Sequence, residues 1–371
     1  MKKEYHFIKE IREQPDVITK SLESAEPLVK KIAQKYAGRI ERIIMTGCGD
    51  PYMLGVGATY AFENWAKIPA ESIEAAELSM SRTGLLNDKT LVILISSSGK
   101  TIKVIESARL AIDNHAPIFG LTNLVPSSLT KISQDYIQTQ AGWSDSFPTK
   151  QTTTALAVLF ALALEWAELS GTLPNDEITA LRQELYKDVP KAVEACLLLD
   201  NEMKALAEKY LNAPIYAFVG SGPNLCTAML SAAKMKETSQ SRSEACNLEE
   251  YAHLHSLSLK PGDPVFFIPY QGTYGVAYRE ISKRILAYGG KLIVVAPEKE
   301  KLNWQEIGSD FFAVPDHSEM FGPLISWIPL QIFAYHTSIG KGRNPDKHID
   351  QQDIEIGYNI YTSPLEGWDD R

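Results

Sequence analysis

The 371-residue sequence predicts an α/β protein made of two similar halves, each a parallel sheet flanked by helices in a three-layer αβα arrangement. Two observations predict it. The first is an internal repeat. IIMTGCGDPYMLGVGATYAFENWAKIPAESIEAAEL, from Ile43, resembles YAFVGSGPNLCTAMLSAAKMKETSQSRSEACNLEEY, from Tyr216. Gly47 aligns with Gly220, Gly49 with Gly222, Glu71 with Glu244 and Glu77 with Glu250, each pair 173 residues apart (220 − 47). Gly99 and Gly272 keep the same offset (272 − 99). Coincidences repeated at one spacing point to a duplicated unit rather than to generic glycines. The second observation is alternation. Apolar runs bounded by Gly, Pro and Asp, as expected of strands buried on both faces, alternate with amphipathic helical patterns.

Taken in order, IERIIMTG reads as a strand, GVGATYAFENWAK as a helix, TLVILIS as a strand and IKVIESARLAIDN as a helix. PIFGLTN and DYIQTQA follow as short strands, then a long helix after Gln151. In the second half PIYAFVG, DPVFFIPY and KLIVVAP are strands, separated by the helices CTAMLSAAKMKETSQ and VAYREISKRILAYG. Strands alternating with helices imply crossover connections and parallel pairing. The expected division is an N-terminal helical segment at 1–30, a first domain at 31–172, a charged helical connector at 173–211, a second domain at 212–340 and a tail at 341–371 that covers the site.

Composition removes several classes of function. A formal charge of −9 with no basic patch argues against a nucleic-acid partner. MKKEYHFIKEIREQP has no apolar run and does not read as a signal peptide. No stretch reaches the roughly 18 uninterrupted apolar residues of a membrane span, and ALAVLFALALEWAEL contains Glu165 and Glu168, so it reads as a core helix. Cys48, Cys196, Cys226 and Cys246 have no paired spacing, which suits a reducing cytoplasm and makes no case for zinc.

In open parallel sheets, ligands bind beyond the carboxyl ends of the strands, where backbone N–H groups at helix starts favour anions. Two loops lie at such ends, MTGCGD and SSSGKT. In the second, hydroxyls add donors and Gly99 lets the backbone approach a ligand. The spacing is not that of a nucleotide P-loop, and a monophosphate suits it better. Taken alone, the motif fits a capped turn as well as an anion cradle. The other half has Pro269, Tyr270 and Gln271 where Ser96, Ser97 and Ser98 stand, so only the first half is equipped for phosphate. The second half carries the acid–base candidates instead. Glu237 lies in KMKETSQ and His253 in EEYAHLH, and a helix followed by a loop is expected to bring them together within one subunit or across a dimer.

These residues resemble the double sugar-isomerase (SIS) domain family. They are similar to the isomerase half of glucosamine-6-phosphate synthase, to fructoselysine-6-phosphate deglycase and to the amino-sugar-phosphate deaminases. EIREQP resembles the family's EIxEQP, TGCGDPY its GCGTSY, SSSGKT its SQSGET, TKQTTTAL its STKAFTTQ and KMKETS its KLKEIS, while EEYAHLH stands where the family has ExxHGP. The resemblance covers nearly the whole chain and implies two tandem SIS domains. It implies that Ser96, Ser97, Ser98, Gly99, Lys100 and Thr101 hold a sugar phosphate, and that Cys48, Gly49 and Asp50 line the sugar. Glu237 would move the proton between C1 and C2, His253 would help open the ring, reaching in from a neighbouring subunit, and Lys234 and Glu250 would support them. The residue types suit that chemistry: a proton α to a carbonyl needs a carboxylate in a partly dry site, and ring opening needs a group that titrates near neutrality. No cofactor or metal is called for. The implied ligand is a small-molecule sugar phosphate, in a homodimer or higher homo-oligomer with neither nucleic acid nor membrane as partner.

Plainer readings exist. Glu237 suits a solvated helix face; His253 and His255 suit ordinary loop histidines or a weak metal pair; Cys48 is a better strand-end filler than nucleophile; Asp145 suits a residue that ends a strand. The chain also departs from the family. Asp50-Pro51 replaces Thr-Ser, and a carboxylate beside phosphate is repulsive, so Asp50 is expected to face sugar hydroxyls or an amine. Lys100 adds positive charge and admits a sulfonate as well as a phosphate. HLH replaces HGP, and the tail has no lysine at the matching place, Lys347 being nearest. With the SIS-like part starting near Met1, no glutaminase portion is expected, which removes glutamine-dependent amination. The expected activity is aldose–ketose isomerisation or deamination of a hexose or amino-hexose 6-phosphate through an enediol or enolamine. Deglycation of a ketosamine 6-phosphate, isomerisation of a sulfonated sugar and a non-catalytic sugar-phosphate sensor are the alternatives.

Overall fold

A computed structural model describes residues 4–269 and 274–347. It contains two five-stranded sheets, every pairing parallel. The first sheet comprises β1 (Arg42–Gly47), β2 (Ala70–Glu74), β3 (Thr90–Ile95), β4 (Ile118–Thr122) and β5 (Tyr136–Gln138), in the order β2-β1-β3-β4-β5. The second comprises β6 (Tyr216–Gly220), β7 (Ser243–Cys246), β8 (Pro264–Ile268), β9 (Lys291–Pro297) and β10 (Asp310–Val314), in the order β7-β6-β8-β9-β10. The second order is the first repeated, so the duplication read from sequence is a duplication of topology. The described residues form two compact units, one of 16–143 and 150–186 around the first sheet, the other of 4–15, 144–149 and 187–347 around the second.

The central strands form where the chain is continuously apolar. All six residues of β3 (TLVILI) and all five of β8 (PVFFI) are buried, because helices cover both faces of each sheet. Val92 and Leu94 pack with Val104 and Ala108 of the helix Ile102–Asp113, and Val265 and Phe267 with Tyr278 and Ile285 of the helix Gly275–Ala287. The edge strands β2, β7 and β10 are half-exposed and carry Glu, Ser or Asp. β2 and β7 went unread in the sequence for that reason, having no apolar run to betray them; β10, DFFAV, does carry one and was overlooked. Their partners in β1, β6 and β9 fix them through backbone pairing.

Two close approaches recur at the repeat offset. A Cβ on Gly47 would lie 2.3 Å from Pro51 Cβ, and one on Gly220 would lie 2.0 Å from the Asn224 carbonyl oxygen. Each strand end therefore turns into its helix (Asp50–Asn64 or Asn224–Ser239) with room only for glycine. The first of these helices starts at Asp50 rather than Gly55, since Pro51 suits a first turn. A second recurrence ties helix to sheet edge. Lys35 and Tyr36 bind Asp135, while Lys209 Nζ reaches Asp310 Oδ2 at 2.6 Å with Tyr210 Oη at 3.5 Å. Each ammonium also lies over the ring of the tyrosine that follows it, at 5.1 and 5.2 Å. Each carboxylate holds its lysine above the usual amine range, chiefly through that hydrogen bond.

Among the described residues one helix, Lys150–Ser170, is long and apolar enough to cross a membrane, and 89% of its most apolar window is buried inside the fold. It is a core helix. Most of the 173–211 stretch is helical, with Ile178, Leu185, Val189, Val193 and Met203 buried.

Candidate functional site

The strand order reverses between β1 and β3, the two strands that flank the switch point of a doubly wound sheet, and ligands bind outside the carboxyl ends at such a point. Thr46 of β1 is in register with Leu94 of β3, so the loops leaving these strands are neighbours. They are TGCGDP and SSSGKT. The fold thus brings together all the residues expected to bind substrate in the first half.

SSSGKT is wound into a tight cup. Ser96 Oγ and Thr101 Oγ1 are 2.9 Å apart, the Gly99 N–H donates to the Ser96 carbonyl at 3.0 Å, and the Lys100 N–H donates to Ser98 Oγ at 3.2 Å. The Ser97 carbonyl is tied down by the N–H groups of Asn123 (3.0 Å) and Leu124 (3.1 Å). Ser96 and Gly99 are buried, Ser97, Ser98 and Thr101 half-buried, and Lys100 exposed. Thr101 precedes the helix Ile102–Asp113, and no side chain caps that end. Hydroxyls, one cation and a helix start therefore converge there, the donor set an anion needs.

On the β1 side, Gly49 is the N-cap of the helix Asp50–Asn64. Asp50 is 6% exposed, and its Oδ2 accepts a hydrogen bond from Thr152 Oγ1 at 2.8 Å, on the core helix. Cys48 Sγ donates to Glu74 Oε1 at 3.1 Å. Burial first, and the Glu74 carboxylate second, push its thiol up to about 12. A thiol held that strongly protonated is no nucleophile near neutrality. Glu74 also accepts from the N–H groups of Ala76 (2.8 Å) and Glu77 (3.1 Å), capping the helix Ala75–Ser81. Sequence reasoning missed Thr152 and Glu74; their partners lie 102 and 26 residues away.

In the second half, Lys234 and Glu237 share one face of the helix Asn224–Ser239. Lys234 is fully buried, and its Nζ lies 2.6 Å from Glu237 Oε2, on a carboxylate 28% exposed. Burying an ammonium is costly unless a carboxylate compensates it, and Glu237 supplies one. The positions one repeat earlier are Ala61 and Asn64, so the pair belongs to one half alone.

Glu237 and His253 are not joined through a simple helix and loop, as expected from sequence. Strand β7 comes between them in the chain, after Glu237 and before His253. His253 ends the short helix Leu248–His253, is 80% exposed and pairs with Glu249 Oε2 at 3.6 Å. Glu250 is exposed in the first turn, its N–H held by Asn247 Oδ1 at 2.9 Å. His255 is the more enclosed imidazole, with its Nδ1 2.9 Å from Glu244 Oε2. Residues 270–273 of the PYQGTYG loop, Gly272 among them, and the tail from 348 onward fall outside the described residues.

With this geometry in view, comparison with known proteins is direct. A SIS domain is recognised over residues 39–165. The chain is 32% identical over 351 residues to glutamine--fructose-6-phosphate aminotransferase [isomerizing] of Clostridium tetani, with 92% of this chain covered. It is 32% identical over 345 residues to the same enzyme of Thermococcus kodakarensis, again with 92% covered. It spans 57% and 56% of those proteins' lengths. Among solved structures, the C-terminal domain of glucosamine-fructose-6-phosphate aminotransferase from Francisella tularensis superposes with a TM-score of 0.85 at 25% identity, covering 94% of this chain and 99% of that one. Glucosamine-6-phosphate deaminase from Thermotoga maritima shares the fold at a TM-score of 0.74 and 22% identity, covering 93% and 98% of the two chains. Two parallel sheets repeated in tandem, a match to the SIS domain and these relatives have one reading: the chain belongs to the SIS, or sugar isomerase, domain family.

Proposed function

We propose that the chain catalyses proton transfer between C1 and C2 of a hexose or amino-hexose 6-phosphate, as an aldose–ketose isomerase or as a deaminase. The observation that carries this reading is the Lys234–Glu237 pair, a fully buried ammonium 2.6 Å from a partly exposed carboxylate. A carboxylate is the base that removes a proton α to a carbonyl, and a neighbouring fixed cation holds its geometry. Ser96, Ser97, Ser98, Gly99, Lys100 and Thr101 then supply the phosphate handle, whose binding energy orients the reacting carbons. Cys48, Gly49 and Asp50 line the sugar, with Asp50 toward a hydroxyl or amine. His253 assists ring opening and Glu250 supports it, with His253 supplied across a homodimer interface. The comparisons support the class of reaction, since relatives and neighbours include a glucosamine-6-phosphate deaminase and a tagatose-6-phosphate ketose/aldose isomerase.

The test is product analysis with a panel of hexose, hexosamine and ketosamine 6-phosphates. An aldose–ketose interconversion, or release of ammonia from an amino sugar, supports the proposal and chooses between its two forms. Release of an amino acid from a ketosamine phosphate replaces it with deglycation. Binding without turnover of any member replaces it with a sensor.

A further inference from the structure

Glu71 and Glu244 occupy the same place in the two repeats, the second residue of the edge strands β2 and β7, 173 residues apart (244 − 71). Each is paired with a cation just past the short helix that follows. Glu71 Oε2 lies 3.0 Å from Arg82 Nη2, and Glu244 Oε2 lies 2.9 Å from His255 Nδ1. Arg82 and His255 are again 173 residues apart (255 − 82). The duplication has kept one joint, in which a strand carboxylate closes the strand–helix corner onto a basic residue. What changed is the base. A guanidinium is always charged, whereas an imidazole is charged only while protonated. The histidine joint is also the more enclosed, its side chains 25% and 26% exposed against 43% and 32% for the arginine joint.

The segment that this joint closes, from Leu248 to Ser258, carries His253 and Glu250. The segment is also anchored by Leu248 and Tyr251 in the core, by the Asn247 cap, by buried Ser256, whose Oγ donates to the Ala252 carbonyl at 3.0 Å, and by a bond from Arg284 Nη1 to the same carbonyl at 3.0 Å. The charged and titratable groups around the joint are Glu249, Glu250, Tyr251 and His253 on the segment, Cys246 on β7, Asp263 ahead of β8 and Arg284 on the helix Gly275–Ala287. Glu244 alone among them is bonded to His255.

We propose that His255 is a positioning residue: while protonated, its ion pair with Glu244 fixes the segment carrying His253, and the segment loosens as the imidazole loses its proton. Deprotonation removes the attraction between two opposite charges and leaves an imidazole N–H donating to a carboxylate, so it weakens the joint without abolishing it. The segment is therefore held while the imidazole carries its proton and freed once the proton is lost. The first repeat, with Arg82, has no such dependence.

The consequence for catalysis rests on the function proposed above, so the deciding experiment does not use turnover. Amide hydrogen exchange of residues 248–258 is measured at pH 6 and pH 8 in the wild type, His255→Arg and Glu244→Gln, corrected for the intrinsic pH dependence of exchange. Wild-type protection in this segment is expected to fall about three- to tenfold between the two values. His255→Arg, which copies the first repeat, should stay protected at both, and Glu244→Gln should be exposed at both. Equal wild-type protection at the two values, or the same loss in His255→Arg, overturns the proposal. In a turnover assay the alkaline decline of kcat should flatten in His255→Arg with KM unchanged. Absence of any turnover would count against the function and leave the exchange result standing.

Discussion

Gly99→Ala tests the cup in SSSGKT. Gly99 has φ +64°, a left-handed conformation that costs an alanine about 1–2 kcal/mol. Its new Cβ would also lie 2.2 Å from Ser127 Oγ, 2.5 Å from Ser127 Cβ and 3.0 Å from Thr122 Oγ1. Those neighbours cannot simply retreat. Ser127 caps the helix Ser128–Ile132 through a reciprocal box with Thr130, and the Gly99 carbonyl itself accepts from the Leu129 N–H at 2.9 Å. Relieving such contacts costs about 1–3 kcal/mol by the measure of overpacked cores. The whole loss is then about 2–5 kcal/mol, read as a lower urea midpoint at unchanged slope. Adding Ser127→Gly removes both clashing atoms and keeps an acceptable cap residue, so the double variant should recover the steric part and leave about 1–2 kcal/mol of backbone strain. Inorganic phosphate should bind Gly99→Ala more weakly than the wild type. A single variant within about 0.5 kcal/mol of wild type, or a double variant no better than the single, refutes the reasoning.

Two further outcomes follow from the same geometry. Lys100→Glu reverses the exposed charge beside the cup, which should weaken phosphate binding by on the order of 1–2 kcal/mol at low salt and less as salt rises; isothermal titration in two buffers reads both. Cys48, with its thiol pushed up to about 12 by burial and Glu74, should alkylate with iodoacetamide at pH 8 about a thousandfold more slowly than a free thiol, followed by peptide mass spectrometry, and Glu74→Gln should speed it.

Much of this was legible in the residues because the physics was local. β1, β3, β6 and β8 declare themselves as apolar runs, and the 173-residue offset carries the sheet order from one half to the other. The SSSGKT cup could be placed because strand ends and helix starts define where anions bind. What was not legible depends on distant partners. AESIE and SEAC become strands because β1 and β6 lie beside them, not through their own composition. Asp50 could be assigned a role only in front of a ligand until Thr152, 102 residues on, was seen to bond its carboxylate. The strand β7 that lies between Glu237 and His253 in the chain went unseen for the same reason. The Glu71–Arg82 and Glu244–His255 joints had a usable signal: the glutamates were already aligned at the repeat offset, and the bases follow them at equal spacing.

The central claim, that Glu237 is the proton-transfer base of a sugar-phosphate enzyme, is tested most directly by deuterium incorporation. Wild type and Glu237→Gln are incubated in D2O with the hexose or hexosamine 6-phosphate that the panel identifies as substrate, and C1 and C2 are followed by NMR. Deuterium should enter with the wild type, while the variant, still able to bond Lys234 and to bind phosphate, should incorporate it about 10²- to 10⁴-fold more slowly. Equal rates in the two proteins, or no label from the wild type with any sugar phosphate, would contradict the account.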